Sequence, residues 1–188
     1  MGALVCGGIM SLDGYIADEH GDFSWGAPDV DVHAFVNDLE RSIGTHLYGR
    51  RMYEVMRYWE AAGELPDMPA VGREYAEVWR DADKVVYSSS LEDAPTSRTR
   101  LERAFDPDAV RRMKVESERD LSISGPGLAA NAFRAGLVDE LRMFLYPVVL
   151  GGGTSFLPEG VRLDLELLDE RRFDHGVVFL RYAVIDGR

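Results

Sequence analysis

Cysteine is nearly absent from this chain: Cys6 stands alone in 188 residues, which excludes an internal disulfide framework. No leading stretch joins a basic start to a long apolar run and a cleavage site, so secretion is not expected and a reducing cytoplasm is the expected location. Histidine is sparse as well. His20, His33, His46 and His175 show no metal-ligand spacing, and neither a paired-cysteine motif nor HExxH occurs, so no metal site is expected. No apolar run approaches the roughly 20 residues that a membrane helix requires. Positive charge is the scarcer sign, with 21 Lys and Arg against 33 Asp and Glu for a formal net charge of -12. Such a surface repels polyanions and argues against nucleic-acid and membrane partners. GxSxG and GxxxxGK[ST] are missing too, which leaves hydrolysis without visible machinery.

What is there reads as one domain over residues 1–188, large enough to bury a core without disulfides or metals. Residues 3–10, "ALVCGGIM", read as a buried strand whose two glycines leave little bulk against an approaching backbone or ligand. "SLDGYIADEHGDFSWGAPD" follows, a long connection of the kind that is usually functional or disordered, and Phe23 and Trp25 argue against disorder. Val32, Val36, Leu39 and Ile43 keep to one helical face, with Gly44 as the expected stop. "THLYG" then reads as a short strand feeding a second helix from Arg50 to about Trp59. Residues 60–70 read as a loop, 70–82 as a helix, and "KVVYSSS" as a strand ending in serines. "TRLERAF" fits strand or helix. "DPDAVRRMKVE" is a helix with Asp106 as N-cap and Pro107 at its first position. "RDLSISG" is a strand, "PGLAANAFRAG" a helix ended by Gly136, and "DELRMFLYPVVL" a long strand. The tail, 162–173 and 176–185, is a hairpin turned around Asp174, His175 and Gly176. Strands alternating with helices predict an α/β fold: a mostly parallel sheet flanked by helices, with a C-terminal antiparallel β-hairpin.

In open α/β sheets ligands bind where strand C-terminal ends meet helix N-termini, and three such junctions carry suggestive residues. Gly49, Arg50, Arg51 and Met52 combine a bare turn with two guanidinium groups that can grip a phosphate bidentately; two solvated arginines on a first helical turn would look the same. Ser88, Ser89 and Ser90 offer hydroxyl donors to phosphate oxygens, although serines also cap turns for local reasons. "ISGPGLAANAF" permits close backbone approach at Gly125 and Gly127, with Pro126 at the helix start. It lacks the third glycine of the dinucleotide fingerprint and the acidic residue beyond it, which disfavours a Rossmann site. Several anion cradles along one sheet edge would suit one extended, multiply phosphorylated cofactor.

"SLDGYIA", "LYGRRMYE", "VVYSSSL", "SISGPGLAANAFRAGLVDEL" and "YPVVLGGGTSF" together resemble, in this order, the dihydrofolate-reductase-like proteins related to the C-terminal reductase domain of bacterial riboflavin biosynthesis. The resemblance runs from residue 3 to about 185. It implies a dihydrofolate-reductase-like fold, NADPH as hydride donor, and a homodimer. It also implies that Gly49 and Arg50, with Arg51 and Met52 beside them, hold cofactor phosphates, and that Ser88 and Ser89 help hold the adenosine 2′-phosphate. Gly125, Pro126, Gly127, Leu128 and Ala129 would lie along the pyrophosphate and nicotinamide side. Residues 11–25 would form the mobile loop over the nicotinamide, with Ile16 and Ala17 near the ring and Trp25 at the substrate mouth. Two positions depart from the pattern. Met52 stands where dihydrofolate reductases usually carry threonine, and Pro126 removes an N–H from the second glycine turn.

Dihydrofolate reductases also place an acid four residues before a phenylalanine to engage the pterin, which here selects Asp31 before Phe35. A carboxylate beside a ring nitrogen raises its proton affinity as hydride arrives. Asp31 equally suits the N-terminal helix charge that the dipole favours, and Asp13, a turn residue before Gly14, is the rival acid. "GGGTSF" fits either a loop approaching the ligand or a flexible turn. The function expected is an NADPH-dependent reductase acting on a C=N or C=O bond of a small heterocycle of pterin or pyrimidine type. A non-catalytic dinucleotide-binding or regulatory dimer, or a flavin or deazaflavin enzyme on the same fold, are the alternatives.

Overall fold

A buried strand, β1 (Leu4–Ser11), runs through the centre of an eight-stranded sheet. After it come β2 (Tyr15–Ala17), a 3-10 turn at Ser24–Gly26, α1 (Val30–Glu40), β3 (Ile43–Gly49), α2 (Arg50–Met56), α3 (Trp59–Ala62) and α4 (Ala70–Asp81). Next are β4 (Asp83–Tyr87), β5 (Thr99–Glu102), α5 (Pro107–Glu116), β6 (Asp120–Ser124), α6 (Pro126–Arg134) and β7 (Glu140–Tyr146). The chain ends through β8 (Thr154–Ser155), β9 (Asp164–Arg172) and β10 (Val178–Ile185). The computed structural model describes residues 1–185. The main sheet has the order β5-β4-β3-β6-β1-β7-β10-β9, and β2 and β8 form a small sheet of their own. The pairs from β5 through β7 are parallel, whereas β10 runs antiparallel to both β7 and β9. This is the α/β architecture the sequence predicts.

Parallel strands covered on both faces must be apolar on both, and the inner strands here are. Leu4, Cys6, Leu47, Val85, Leu121 and Ile123 pack on one face with Val110 of α5 and Leu128, Ala129 and Phe133 of α6. On the other face Tyr48, Val86 and Trp79 form one cluster, and Val32, Phe144, Tyr146 and Phe179 another. α4 is fastened to the sheet by a buried cation. Lys84, 1% exposed, donates to the carbonyls of Trp79 and Ala82 at the end of α4, at 3.0 and 2.9 Å, and lies 4.2 Å from the Trp79 ring centre. Among the described residues no helix is long and apolar enough to cross a membrane.

Several boundaries differ from the sequence expectation. α1 stops at Glu40, before Gly44, because the Arg41 amide returns to Asn37 and Leu39 and the Ser42 hydroxyl donates to the Leu39 carbonyl. Gly44 and Ile43 belong instead to β3. Residues 59–62, expected at the end of one helix and the start of a loop, form α3. "KVVYSSS" leaves the sheet after Tyr87, and β7 ends at Tyr146, since Pro147 has no N–H to continue a ladder. "TRLERAF" resolves into edge strand β5 at 99–102.

A polar column crosses the sheet where α1 ends. His46 Nδ1 lies 2.7 Å from the Ser122 hydroxyl and 3.8 Å from the Glu40 carboxylate. Burial, assisted by the charges of Lys84 and Arg119, pushes His46 down to about 3 from 6.5. Burial raises Glu40 from 4.5 to about 7, with Arg142 pulling the other way. The two therefore act in opposite senses. The folded state refuses a proton that unfolded His46 accepts, so its stability falls as pH drops below about 6.5. The folded state holds a proton on Glu40 that the unfolded chain releases, so this contribution is fully present below 4.5 and lost as pH rises through about 7. Glu40→Gln leaves His46 unopposed. Between about pH 4.5 and 6.5 its stability should fall on acidification more steeply than the wild type's, by about 1.4 kcal/mol per pH unit. Urea titrations across that range check it, and parallel slopes would reject the assignment.

Candidate functional site

The C-terminal ends of five neighbouring strands lie side by side on one edge, in the order β4, β3, β6, β1, β7. Gly49 pairs with Tyr87, Tyr48 with Ser124, and Ser11 with Tyr146, so the three glycine- and serine-bearing junctions meet on this edge. At one strand spacing of about 4.8 Å, four steps give a groove of roughly 19 Å. Gly125 takes φ of 102°, and a Cβ there would sit 3.5 Å from the Gly49 nitrogen and 3.5 Å from the Met52 Cβ. A Cβ on Gly49 would meet Leu128 at 3.6 Å. The two turns thus form a bare backbone cradle.

No side chain caps α6. Its Pro126 lacks an N–H, the Ala129 amide bonds to the Gly125 carbonyl at 2.9 Å, and the amides of Gly127 and Leu128 are left without an intrahelical acceptor. The side chains of Leu128 and Ala129 are buried in the core, so these residues present only backbone to the groove. Arg50 and Arg51 are exposed on α2, Arg50 loosely paired with Glu54 at 3.8 Å. Met52 packs inward against the Tyr48 and Tyr53 cluster. Ser88 is 7% exposed, and its hydroxyl accepts from the amides of Ser90 and Leu91 at 3.2 and 3.0 Å, a local turn. Ser89 and Ser90 are the exposed members.

On the other side of the groove two loops are tied together. Asp13 accepts from the Ser11 hydroxyl at 2.7 Å and from the amides of Leu150 and Gly151 at 3.1 and 2.7 Å. The Ser11 hydroxyl, and next to it those two amides, hold the Asp13 carboxyl below the usual range, so it stays an acceptor. β2, with Ile16 and Ala17, pairs with β8, and a Cβ on Gly153 would lie 2.0 Å from the Ala17 carbonyl. "GGGTSF" is therefore fixed against the first loop. Ile16 packs into the main core. Trp25 stands edge-on to Tyr146 at 6.1 Å and donates to the Asp22 carbonyl at 3.2 Å. Asp31 is exposed in the first turn of α1, whose N-cap is Asp29, bonded to the Val32 amide at 2.9 Å. Phe35 packs against Phe144, Phe173 and Phe179, with Arg171 over its ring at 4.8 Å.

Two groups at this edge have no counterpart among the residues that sequence reasoning selected. Arg103 donates to the carbonyls of Ser88, Leu91 and Glu92 and so holds the serine turn. Its signal was the ambiguous "TRLERAF": only as a strand parallel to β4 does this segment deliver Arg103 beside the serines. Tyr146 closes the far end, and a tyrosine within a long expected strand gave no sign of it.

A mostly parallel sheet with this strand order, helix-opening loops at its C-terminal edge and an antiparallel hairpin beyond it is a dihydrofolate-reductase-like domain. The chain belongs to the RibD C-terminal domain family, whose model matches residues 3–179. It is 28% identical over 178 residues to the uncharacterized protein YyaP of Bacillus subtilis, covering 92% of this chain and 90% of that one. A putative riboflavin biosynthesis protein from Shewanella superposes with a TM-score of 0.75 at 20% identity, covering 98% and 99% of the two chains. The bifunctional diaminohydroxyphosphoribosylaminopyrimidine deaminase/5-amino-6-(5-phosphoribosylamino)uracil reductase of Thermotoga maritima gives 0.66 at 15% identity. This chain spans 57% of that enzyme's length.

Because Asp13 is, among the described residues, the sole acceptor for the amides of Leu150 and Gly151, Asp13→Ala should abolish their protection in hydrogen-exchange mass spectrometry while leaving β1 and β7 protected. Unchanged protection of 147–153 would show that the loops hold each other without it.

Proposed function

We propose that this protein is an NADPH-dependent reductase acting on a C=N or C=O bond of a small, pyrimidine- or pterin-like heterocycle. The observation that carries the reading is the bare cradle at Gly49 and Gly125, with the arginines of α2 and the serine turn beside it on the same edge. An extended dinucleotide fits such a groove. The unbonded amides opening α6 suit its pyrophosphate, and Arg50, with Ser89 and Ser90 beyond it, suits the adenosine 2′-phosphate. Membership of this family, together with the structural likeness to a 5-amino-6-(5-phosphoribosylamino)uracil reductase, supports the substrate class.

When bound, the nicotinamide supplies the hydride; the protein supplies orientation and a dry, shaped mouth. The tied loops carrying Ile16 and Ala17 wall the mouth on one side and Trp25 closes it on the other. With its carboxylate engaged by three donors, Asp13 acts as a loop tie in this scheme, and Asp31 at the start of α1 is the acid that raises the proton affinity of a substrate ring nitrogen. The homodimer and the cytoplasmic location implied by the resemblance belong to the same proposal. For the dimer, the exposed outer strand β9, which shows Leu165, Leu167 and Leu168 to solvent, is one surface available.

Arg50→Ala should weaken NADPH by roughly 1.5–3 kcal/mol, the worth of a charge-assisted hydrogen bond, and NADH far less. Calorimetric titration of both cofactors decides it, and equal weakening would remove Arg50 from the 2′-phosphate. Asp31→Asn should leave NADPH affinity intact and depress turnover with a pterin or pyrimidine acceptor. Turnover equal to wild type would shift the proton role to water.

A further inference from the structure

The far end of the groove holds a buried polar group that the fold does not use. Tyr146 is 7% exposed, and its hydroxyl has no hydrogen-bond partner among the described residues. Two other buried atoms share this condition, Asn37 Oδ1 and Arg181 Nε, but each belongs to a side chain bonded through a different atom. Tyr146 has only the one. Two other buried tyrosines are bonded: Tyr48 accepts from Trp79 at 3.2 Å, and Tyr53 meets Thr96 at 3.0 Å. The surroundings of Tyr146 are apolar and rich in phenylalanine, with Val32, Phe144, Phe173 and Phe179 in one cluster. A phenylalanine would serve that packing without a stranded hydroxyl, and buried hydroxyls left unbonded are costly enough to be rare.

Position turns this orphan into a candidate recognition group. Tyr146 is the last residue of β7, in register with Ser11 at the end of β1, and its ring meets Trp25 edge-on. We propose that the Tyr146 hydroxyl reads the substrate, donating a hydrogen bond to a ring carbonyl of an oxo-substituted heterocycle held between the end of β7, Trp25 and the first turn of α1. This rests on the reductase reading above and deepens it by naming the feature recognised. An exocyclic oxygen projects past the outline of its ring, so it reaches a recessed hydroxyl that a ring nitrogen does not. Burial, with the Asp29 charge adding to it, pushes the phenol up to about 12, which keeps the proton available for donation.

The test uses Tyr146→Phe, which deletes one oxygen and keeps the ring. Uracil and pteridine-2,4-dione are titrated into both proteins by calorimetry, alone and with NADPH, with pyrimidine and pteridine as ring-matched probes lacking the oxo groups. Tyr146→Phe should unfold at the wild-type temperature or slightly above it and bind NADPH equally. It should lose about five- to fifty-fold in affinity for the oxo probes and nothing for the others. Equal affinity of the two proteins for the oxo probes would overturn the proposal. So would failure of the wild type to bind them, or a melting temperature several degrees lower, which would reveal a structural partner for the hydroxyl. If neither protein binds NADPH while the oxo-probe difference persists, the cofactor reading falls and the Tyr146 assignment stands.

Discussion

Two backbones that meet with no side chain between them, at Gly49 and Gly125, set the shape of the whole open edge. β3 and β6 are neighbours in parallel register, so their last residues leave the sheet together. A Cβ on Gly125 would stand in the space between them, 3.5 Å from the Gly49 nitrogen. Gly125 adds a second requirement, because its φ of 102° lies where L-residues are strained. From this constraint the rest follows: α2 and α6 start at the same level, their first turns face the same groove, and the arginines of α2 are displayed beside the free amides of α6.

Polar groups inside hold the opposite end of the sheet, where β4 and β7 begin. Lys84 closes the end of α4 and anchors β4 beneath the serine turn. Glu140 is bonded by Arg142 at 2.6 Å and by Arg181 at 2.7 Å, joining β7 to β10 on the side of the hairpin. Burial opposes the charge on Glu140, but the bonds from Arg181 and Arg142 outweigh it and keep the carboxyl below its usual range. Buried charges of this kind are tolerable only when each finds partners. The Arg181–Glu140 bond joins strands that lie 41 positions apart in the chain, so it fixes register as well as proximity.

The repeating alternation of strands and helices was legible in the sequence because both periods are strong: an apolar run at 85–87, polar–apolar alternation at 120–124, helical spacing at 32–39, and Asp106 with Pro107 marking a helix start. Helix ends were less so. Gly44 looked like a stop, yet the Ser42 hydroxyl and the Arg41 amide closed α1 first, a competition between local hydrogen bonds that residue types alone do not rank. The site divided in the same way. Glycines and arginines at junctions advertise themselves through backbone chemistry and charge, so the cradle was visible. Arg103 and Tyr146 matter only through where the sheet order carries them, and strand order across a parallel sheet leaves little trace in a single sequence. Ser88 shows the converse, since a hydroxyl that suits a phosphate suits a neighbouring amide equally well.

The bond between Asp13 and the amides of Leu150 and Gly151, together with the contact of Gly153 on Ala17, joins two segments about 140 positions apart into one body. Whatever opens the mouth must carry both along or break a charged clasp. A change of preferred guest that lengthens one of these segments would therefore unseat the other, so diversification within this architecture has to proceed by paired alterations on either side of the clasp.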